Sequence, residues 1–337
     1  MASKRIAVIL AGAVAKGAFS AGVVQALARM NVQVVRIVAA SSGALNGLLF
    51  AAGIRARDPV AAADRLVELW SDHGGWSQVF HVSLGDLVRR EGVSDDKNLL
   101  ALIRDNVKPN PSPPGADIEL RLVVAPLHGA RGSIAGQPAT TFEHVLDFAG
   151  TAFDSEAGLE PMFAAATASA ALPIAFAPVD LPGLGPCVDG GAVNNTPIKW
   201  ALEGELGRSI DAVVVVTTSM QVLAADPDEE LRGTRLIGRF AELLIEERLY
   251  RDLRLTACAN AELRALAGLR GELGDAAIDT VLAALHWQAR RDIEIVTIRP
   301  DAQLAGSAFS GFFDRATREQ YIAAGRAAAA QALATWT

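Results

Sequence analysis

The run Val34–Gly47, VVRIVAASSGALNG, constrains this chain more than any other stretch. β-Branched residues come first, then a cluster of very small ones, then sequence compatible with a helix. That order predicts a buried strand turning sharply into a helix, with a serine on the turn. Strand and helix backbones approach closely at such a turn, and Ala39, Ala40, Ser42 and Gly43 are small enough to allow it. A helix starting near Gly43 would aim its free N–H groups and the positive end of its dipole at the serine, which suits an anionic intermediate. Ser41 is therefore the candidate nucleophile, with Ser42 its nearby competitor. The same string also fits a small-residue strand–helix connection carrying two incidental serines.

Around this unit the chain alternates strand-like and helix-like segments. Arg5–Leu10 and Val34–Ala39 read as core strands, and Lys16–Met30 and Gly43–Ala52 as the helices that follow them. Strands alternating with helices imply a parallel sheet with right-handed crossovers. Pro59–Trp70, Leu84–Arg90 and Asp96–Arg104 read as further helices, and KPNPSPPG (Lys108–Gly115) as a proline-stiffened surface linker. Ile118–Ala125 is a strand, glycine-rich His128–Thr141 a hairpin or loop, and Glu160–Ala171 an alanine-rich helix stopped by Pro173. Ala212–Thr217 and Ile293–Ile298 are buried strands, Glu229–Leu269 is almost continuously helical, and Thr317–Ala334 is a closing helix. There is no internal repeat.

Composition narrows the function. With 337 residues and 51% hydrophobic content the chain can bury a large core, as one large α/β domain or two smaller ones. Lys and Arg number 31 against 38 Asp and Glu, a formal charge of −7, so no nucleic-acid partner is expected. Two cysteines, Cys187 and Cys258, are too few for a disulfide framework or a zinc cluster. No metal or cofactor is expected. MASKRIAVIL passes directly into a strand without a secretory pattern. Ile37–Ile54 is apolar, but its serines, asparagine and glycines fit a buried strand–helix unit better than a membrane span. The expectation is a cytoplasmic chain without a transmembrane segment.

Two further stretches carry chemistry. LAGAVAKGAFSAG (Leu10–Gly22) lies between the first strand and first helix, where a glycine-bearing turn exposes N–H groups to an anion. That anion is either a nucleotide phosphate or the oxyanion of acyl transfer. The dinucleotide fingerprint lacks its second glycine in Gly12–Gly17, and no acidic residue falls near Val32–Val35, about 20 residues on. A Walker A loop fails too, since no Gly-Lys-Ser/Thr follows. PCVDGGAVNNTP (Pro186–Pro197) places Asp189 before Gly190 and Gly191, an exposed turn whose carboxylate could act as a general base toward a serine. A plain Asp-Gly turn between strands is the alternative.

Taken together, these stretches resemble the patatin-like phospholipases. The family's glycine-rich oxyanion loop ending in Arg/Lys-Gly is similar to Gly12–Gly17, with Lys16-Gly17 in register. Its G-x-S-x-G elbow followed by Ala-Leu-Asn resembles Ala39–Asn46, with Gly43 matched. Its Ala-Ser-Ala segment resembles Ala168–Pro178, and its Asp-Gly-Gly/Ala box resembles Asp189–Pro197. The resemblance spans roughly Ile6 to Ala201. It implies an α/β fold, a three-layer α/β/α sandwich with a mainly parallel central sheet. Residues 1–205 would form the catalytic core, and 206–337 the strands and helices completing the same domain. It further implies a Ser41–Asp189 dyad cleaving ester bonds of phospholipids or related lipids. The oxyanion hole would come from backbone at Gly12, Ala13, Val14, Ala15 and Ser42. A somewhat dry site is expected to raise Asp189, giving activity on the alkaline side. Three positions depart from the pattern: Ala39 replaces the first elbow glycine, and Ala13 and Val14 replace loop glycines. A positive φ at Val14 would strain a β-branched residue.

Other readings stand beside this one. A lipid-binding pseudoenzyme on the same fold is the alternative that Ala13, Val14 and Ala39 suggest, and a nucleotide-binding α/β protein is a third. A triad of Ser41, Asp189 and His286 has the right chain order, but His286 sits in helical TVLAALHWQARR rather than a loop after a strand; His73, His81, His128 and His144 read as surface or loop residues. Leu236, Ile237, Phe240, Leu243 and Leu244, near Arg232, Arg235, Arg239 and Arg248, form either an interfacial helix making peripheral membrane contact or a stripe packed on the body. GGWSQVF (Gly74–Phe80) is either a lid over the site or core filler.

Overall fold

A computed structural model describes residues 3–79, 97–110, 117–134, 137–173, 175–219, 234–287 and 290–336. The elements run β1 (Lys4–Leu10), α1 (Gly17–Leu27), β2 (Val32–Ala39), α2 (Ser42–Arg55), α3 (Pro59–Glu68) and α4 (Lys97–Asn106). After these come β3 (Glu119–Pro126), β4 (Ala130–Ile134), β5 (Gln137–Thr141), β6 (His144–Ala149), α5 (Glu156–Ser169), β7 (Val179–Leu181), β8 (Gly185–Asp189) and α6 (Ile198–Leu202). The chain ends with β9 (Ala212–Val216), α7 (Thr234–Gly268), α8 (Asp275–Ala284), β10 (Glu294–Ile298), α9 (Ser310–Phe313) and α10 (Arg315–Ala332). The predicted helix Leu84–Arg90 lies outside the described residues, as does most of the proline-rich linker.

Strands β10, β9, β1, β2 and β3 are mutually parallel, and β6, β7 and β8 join antiparallel to make a mixed, mostly parallel sheet. Alternate side chains of its strands serve two cores. Ile6, Val8, Leu10 and Ile37 pack with Phe19, Phe50 and Tyr321 of α1, α2 and α10. Ala7, Ile9, Val38, Val213 and Val215 face the other way, against Ile198 of α6 and Leu253 of α7. Burial on both faces is what continuous β-branched runs demand, and the result is a helix–sheet–helix sandwich.

Pairing on β3 brings two distant segments together. Val124 faces His144 of β6 and Asp189 of β8, so those strands lie on opposite edges of β3. β6 runs along the whole of Glu119–Val124, leaving β2, which pairs with Glu119–Leu122, on the same edge as β8. β2 and β8 thus share one lane and run toward each other. Ala39 pairs with Leu122 and Asp189 with Val124, two residues further along β3. The turn after β2 and the last residue of β8 therefore meet. The segment after β8 is tied back by Arg36 of β2, 1% exposed, which donates to the carbonyls of Ala201 at 2.8 Å and Glu203 at 2.7 Å and pairs with Glu119.

Candidate active site

Ser41 caps the N-terminus of α2 with φ 55° and ψ −136°. A non-glycine residue with positive φ in this region is strained by about 1–3 kcal/mol and persists only where surroundings over-determine it. Here they do. The Ser41 N–H donates to Ser169 Oγ at 3.0 Å, and Ser169 in turn donates to the Val123 carbonyl at 2.6 Å. The neighbouring Ala40 N–H reaches the Leu10 carbonyl at 3.2 Å. Ser169, on α5, lies in the Ala-Ser-Ala segment, but nothing in the sequence indicated that its hydroxyl would hold the elbow.

The side chains that the sequence picked as a pair are in contact. Ser41 Oγ donates to Asp189 Oδ2 at 2.6 Å, and Asp189 Oδ1 accepts the Gly191 N–H at 2.7 Å. Asp189 is 3% exposed. Burial pushes its pKa up to about 6, against the hydrogen bonds from Ser41 and Gly191 that favour the charged form. The carboxylate's hydrogen-bond partners among the described residues include no histidine, and His286 is exposed at the end of α8.

The loop Gly12–Gly17 runs past this pair, with Val14 at φ 53°. Lys16 and Gly17 donate within the loop's own helical turn, and three further N–H groups are engaged by more distant acceptors. Gly12 donates to Asn195 Oδ1 at 2.7 Å, while Asn195 Nδ2 donates back to the Gly12 carbonyl at 2.9 Å. Ala13 donates to Ser42 Oγ at 3.0 Å, and Ala15 to the Ala308 carbonyl at 3.0 Å. Of the five N–H groups expected at an oxyanion hole, those of Val14 and Ser42 meet no acceptor among the described residues, and both residues line the cavity with Ser41. Acceptors far along the chain, Asn195 Oδ1, Ser42 Oγ and the Ala308 carbonyl, take the other three, which motif spacing does not reveal. Lys16 and Gly17 lead into α1, and Gly190 and Gly191 form the turn after Asp189.

Ser41 opens into a cavity whose lining is largely aliphatic and aromatic, with Leu45, Leu69, Leu99, Ile103, Phe309 and Phe312 among its walls. Leu69–His73 is a π-helical turn continuing α3, and Trp70 in it donates from Nε1 to Asn46 Oδ1 at 2.8 Å. His73 is half-buried and lines the cavity. Gly74 and Val79 of the GGWSQVF segment also line it, and Phe80 lies outside the described residues. The proposed interfacial stripe at 236–244 has no described side chains. Among the described residues, no helix is long and apolar enough to cross a membrane.

No curated protein matches the chain in sequence. Among solved structures, VipD from Legionella pneumophila matches with 12% identity and a TM-score of 0.39, over 99% of this chain and 67% of that one. The sequence profile of the family described as Patatin-like phospholipase matches residues 8–202, more than half of the chain. This chain belongs to the patatin-like phospholipase family.

Proposed function

We propose that this protein is a serine acyl hydrolase that cleaves lipid esters through Ser41 and Asp189. The observation that carries the reading is the buried 2.6 Å hydrogen bond between them at the mouth of an apolar cavity. Ser41 Oγ attacks the ester carbonyl carbon as its proton passes to Asp189 Oδ2. The carbonyl oxygen becomes an oxyanion held by the N–H groups of Val14 and Ser42, with the α2 dipole behind the second. The tetrahedral intermediate expels the alcohol, which takes the proton from Asp189, leaving an acyl group on Ser41. Water then loses a proton to Asp189 and attacks the acyl-enzyme, and Ser41 recovers its proton as the fatty acid departs. The apolar walls fit the acyl chain, and phospholipids or related lipid esters fit the family.

Engagement of the Gly12, Ala13 and Ala15 N–H groups favours one second reading, a weakened hydrolase that mainly binds lipid. A fluorophosphonate probe followed by mass spectrometry separates the two. An activated Ser41 gains the adduct, and Ser41→Ala and Asp189→Asn lose both labelling and turnover of a p-nitrophenyl ester. Turnover retained by purified Ser41→Ala overturns the hydrolase assignment.

A further inference from the structure

Val14, with its left-handed backbone, needs both neighbours fixed if its N–H is to keep one direction. Asn195 and Ser42 fix the preceding residues. The following residue, Ala15, is held by the Ala308 carbonyl, which belongs to residues 304–313, a C-terminal loop outside the family match at 8–202. That loop has its own fastenings. Tyr321 Oη donates to the Ala305 carbonyl, and the Ser307 N–H donates to Ser310 Oγ at 2.9 Å. Gly311 of α9 lies directly against Ala15, since a Cβ at position 311 would stand 3.1 Å from the Ala15 Cβ.

Arg318 joins this loop to the opposite wall. Its Nη1 donates to the Gly311 carbonyl and its Nη2 to the Ser71 carbonyl, both at 2.7 Å. Ser71 sits in the π-helical turn that lines the cavity with Phe309 and Phe312. The arginine is 5% exposed and pairs with no carboxylate among the described residues, while Arg315 beside it takes Asp72 and Glu319. Burial disfavours the guanidinium's charge more than the nearby carboxylates of Asp314, Glu319 and Asp72 favour it, and its rigid fork reaches two backbone carbonyls instead of an ion-pair partner.

We propose that Arg318 is a positioning residue for acyl transfer, clamping the 304–313 loop to the π-helical turn so that Ala308 holds Ala15, and with it the Val14 N–H, beside Ser41. This rests on the reading of Ser41 and Val14 given above. The test compares the full-length wild type with Arg318→Met, Arg318→Lys and the double variant Ser307→Ala/Ser310→Ala, whose changes lie outside the cavity. Amide exchange over Leu10–Gly17 reports the clamp itself, and steady-state hydrolysis of a soluble short-chain p-nitrophenyl ester reports its consequence. Arg318→Met is expected to exchange faster at Ala15 and to lose roughly 10- to 100-fold in kcat with KM little changed, the mark of misplaced reacting groups. Arg318→Lys falls between Arg318→Met and wild type, and the double serine variant shifts both readouts the same way by less.

Wild-type exchange and kcat in a folded Arg318→Met, whatever its melting temperature, overturn the proposal. Should Arg318→Met not fold, unchanged exchange and kcat in the double serine variant overturn it equally. If wild type and Ser41→Ala hydrolyse the ester alike, the Ser41 reading falls, and exchange at Ala15 still decides whether the clamp exists.

Discussion

Asp189 combines two requirements that conflict, since a base must be charged to act while burial disfavours its charge. With its pKa near 6 and its proposed role as base, kcat/KM for a soluble ester should rise with pH, level off above about 6, and show a single acid-side inflection. The same shift has a stability consequence of opposite sense. Between the ordinary value of 3.8 and about 6 the folded protein binds more protons than the unfolded chain. The contribution of Asp189 to stability is therefore fully present below about pH 4 and is lost as pH rises through about 6. A shift of roughly two pKa units corresponds to about 3 kcal/mol. Asp189→Asn should accordingly be inactive yet more stable than wild type at pH 8, by up to about 3 kcal/mol, with the gain gone near pH 4. Denaturant unfolding at the two pH values checks this, and a variant less stable at pH 8 would contradict a dry, charged Asp189.

The elbow depends on how closely α2 lies over β1 and β2. A Cβ on Gly43 would stand 2.1 Å from the Leu10 carbonyl oxygen, a backbone atom that cannot move aside. Gly43→Ala should destabilise the fold by about 3 kcal/mol and reduce labelling of Ser41, measured by unfolding and probe adduct together. The methyl of Ala39, which replaces the family's first elbow glycine, is accommodated one turn along α2: a Cβ on Gly47 would be 3.3 Å from it. On the cavity side, Ile103→Trp in α4 should lower kcat/KM for long-chain esters while sparing acetate esters, since the indole fills space the chain needs. Much of this level was legible in the sequence. β-Branched runs marked β1, β2 and β9, whose buried residues leave no polar alternation to obscure them. β3 begins with alternation, and β10 is a half-buried edge strand that its Ile-Val-Thr-Ile run still marked. β8 was not read as a strand, since Gly185-Pro186 looks like a turn and its pairing with β3 is long-range. The strain at Val14 was foreseen from its β-branching and is present, whereas the loss of the Gly12, Ala13 and Ala15 donors depends on contacts no local pattern carries.

At the scale of the whole molecule, the C-terminal part of the chain closes what the N-terminal part leaves open. β1 has β2 on one edge, and its other edge, Ile6–Leu10, is paired residue by residue with Ala212–Val216 of β9. α1 is backed by α10 so closely that a Cβ on Gly22 would lie 2.1 Å from the Ile322 carbonyl oxygen, and one on Gly325 equally near that of Phe19. Removing 206–337 would expose an apolar central strand edge and the face of α1 bearing Phe19, both liabilities for aggregation. We therefore expect residues 1–205 expressed alone to be insoluble or molten, and the full chain to unfold in one cooperative transition. Amides of β1 and α10 should then exchange with the same free energy of opening, because neither element keeps its packing once the other leaves. A soluble 1–205 fragment with a sharp melt of its own would instead make the C-terminal part a separate unit. It would also remove the physical route by which Ala308 can hold the loop beside Ser41.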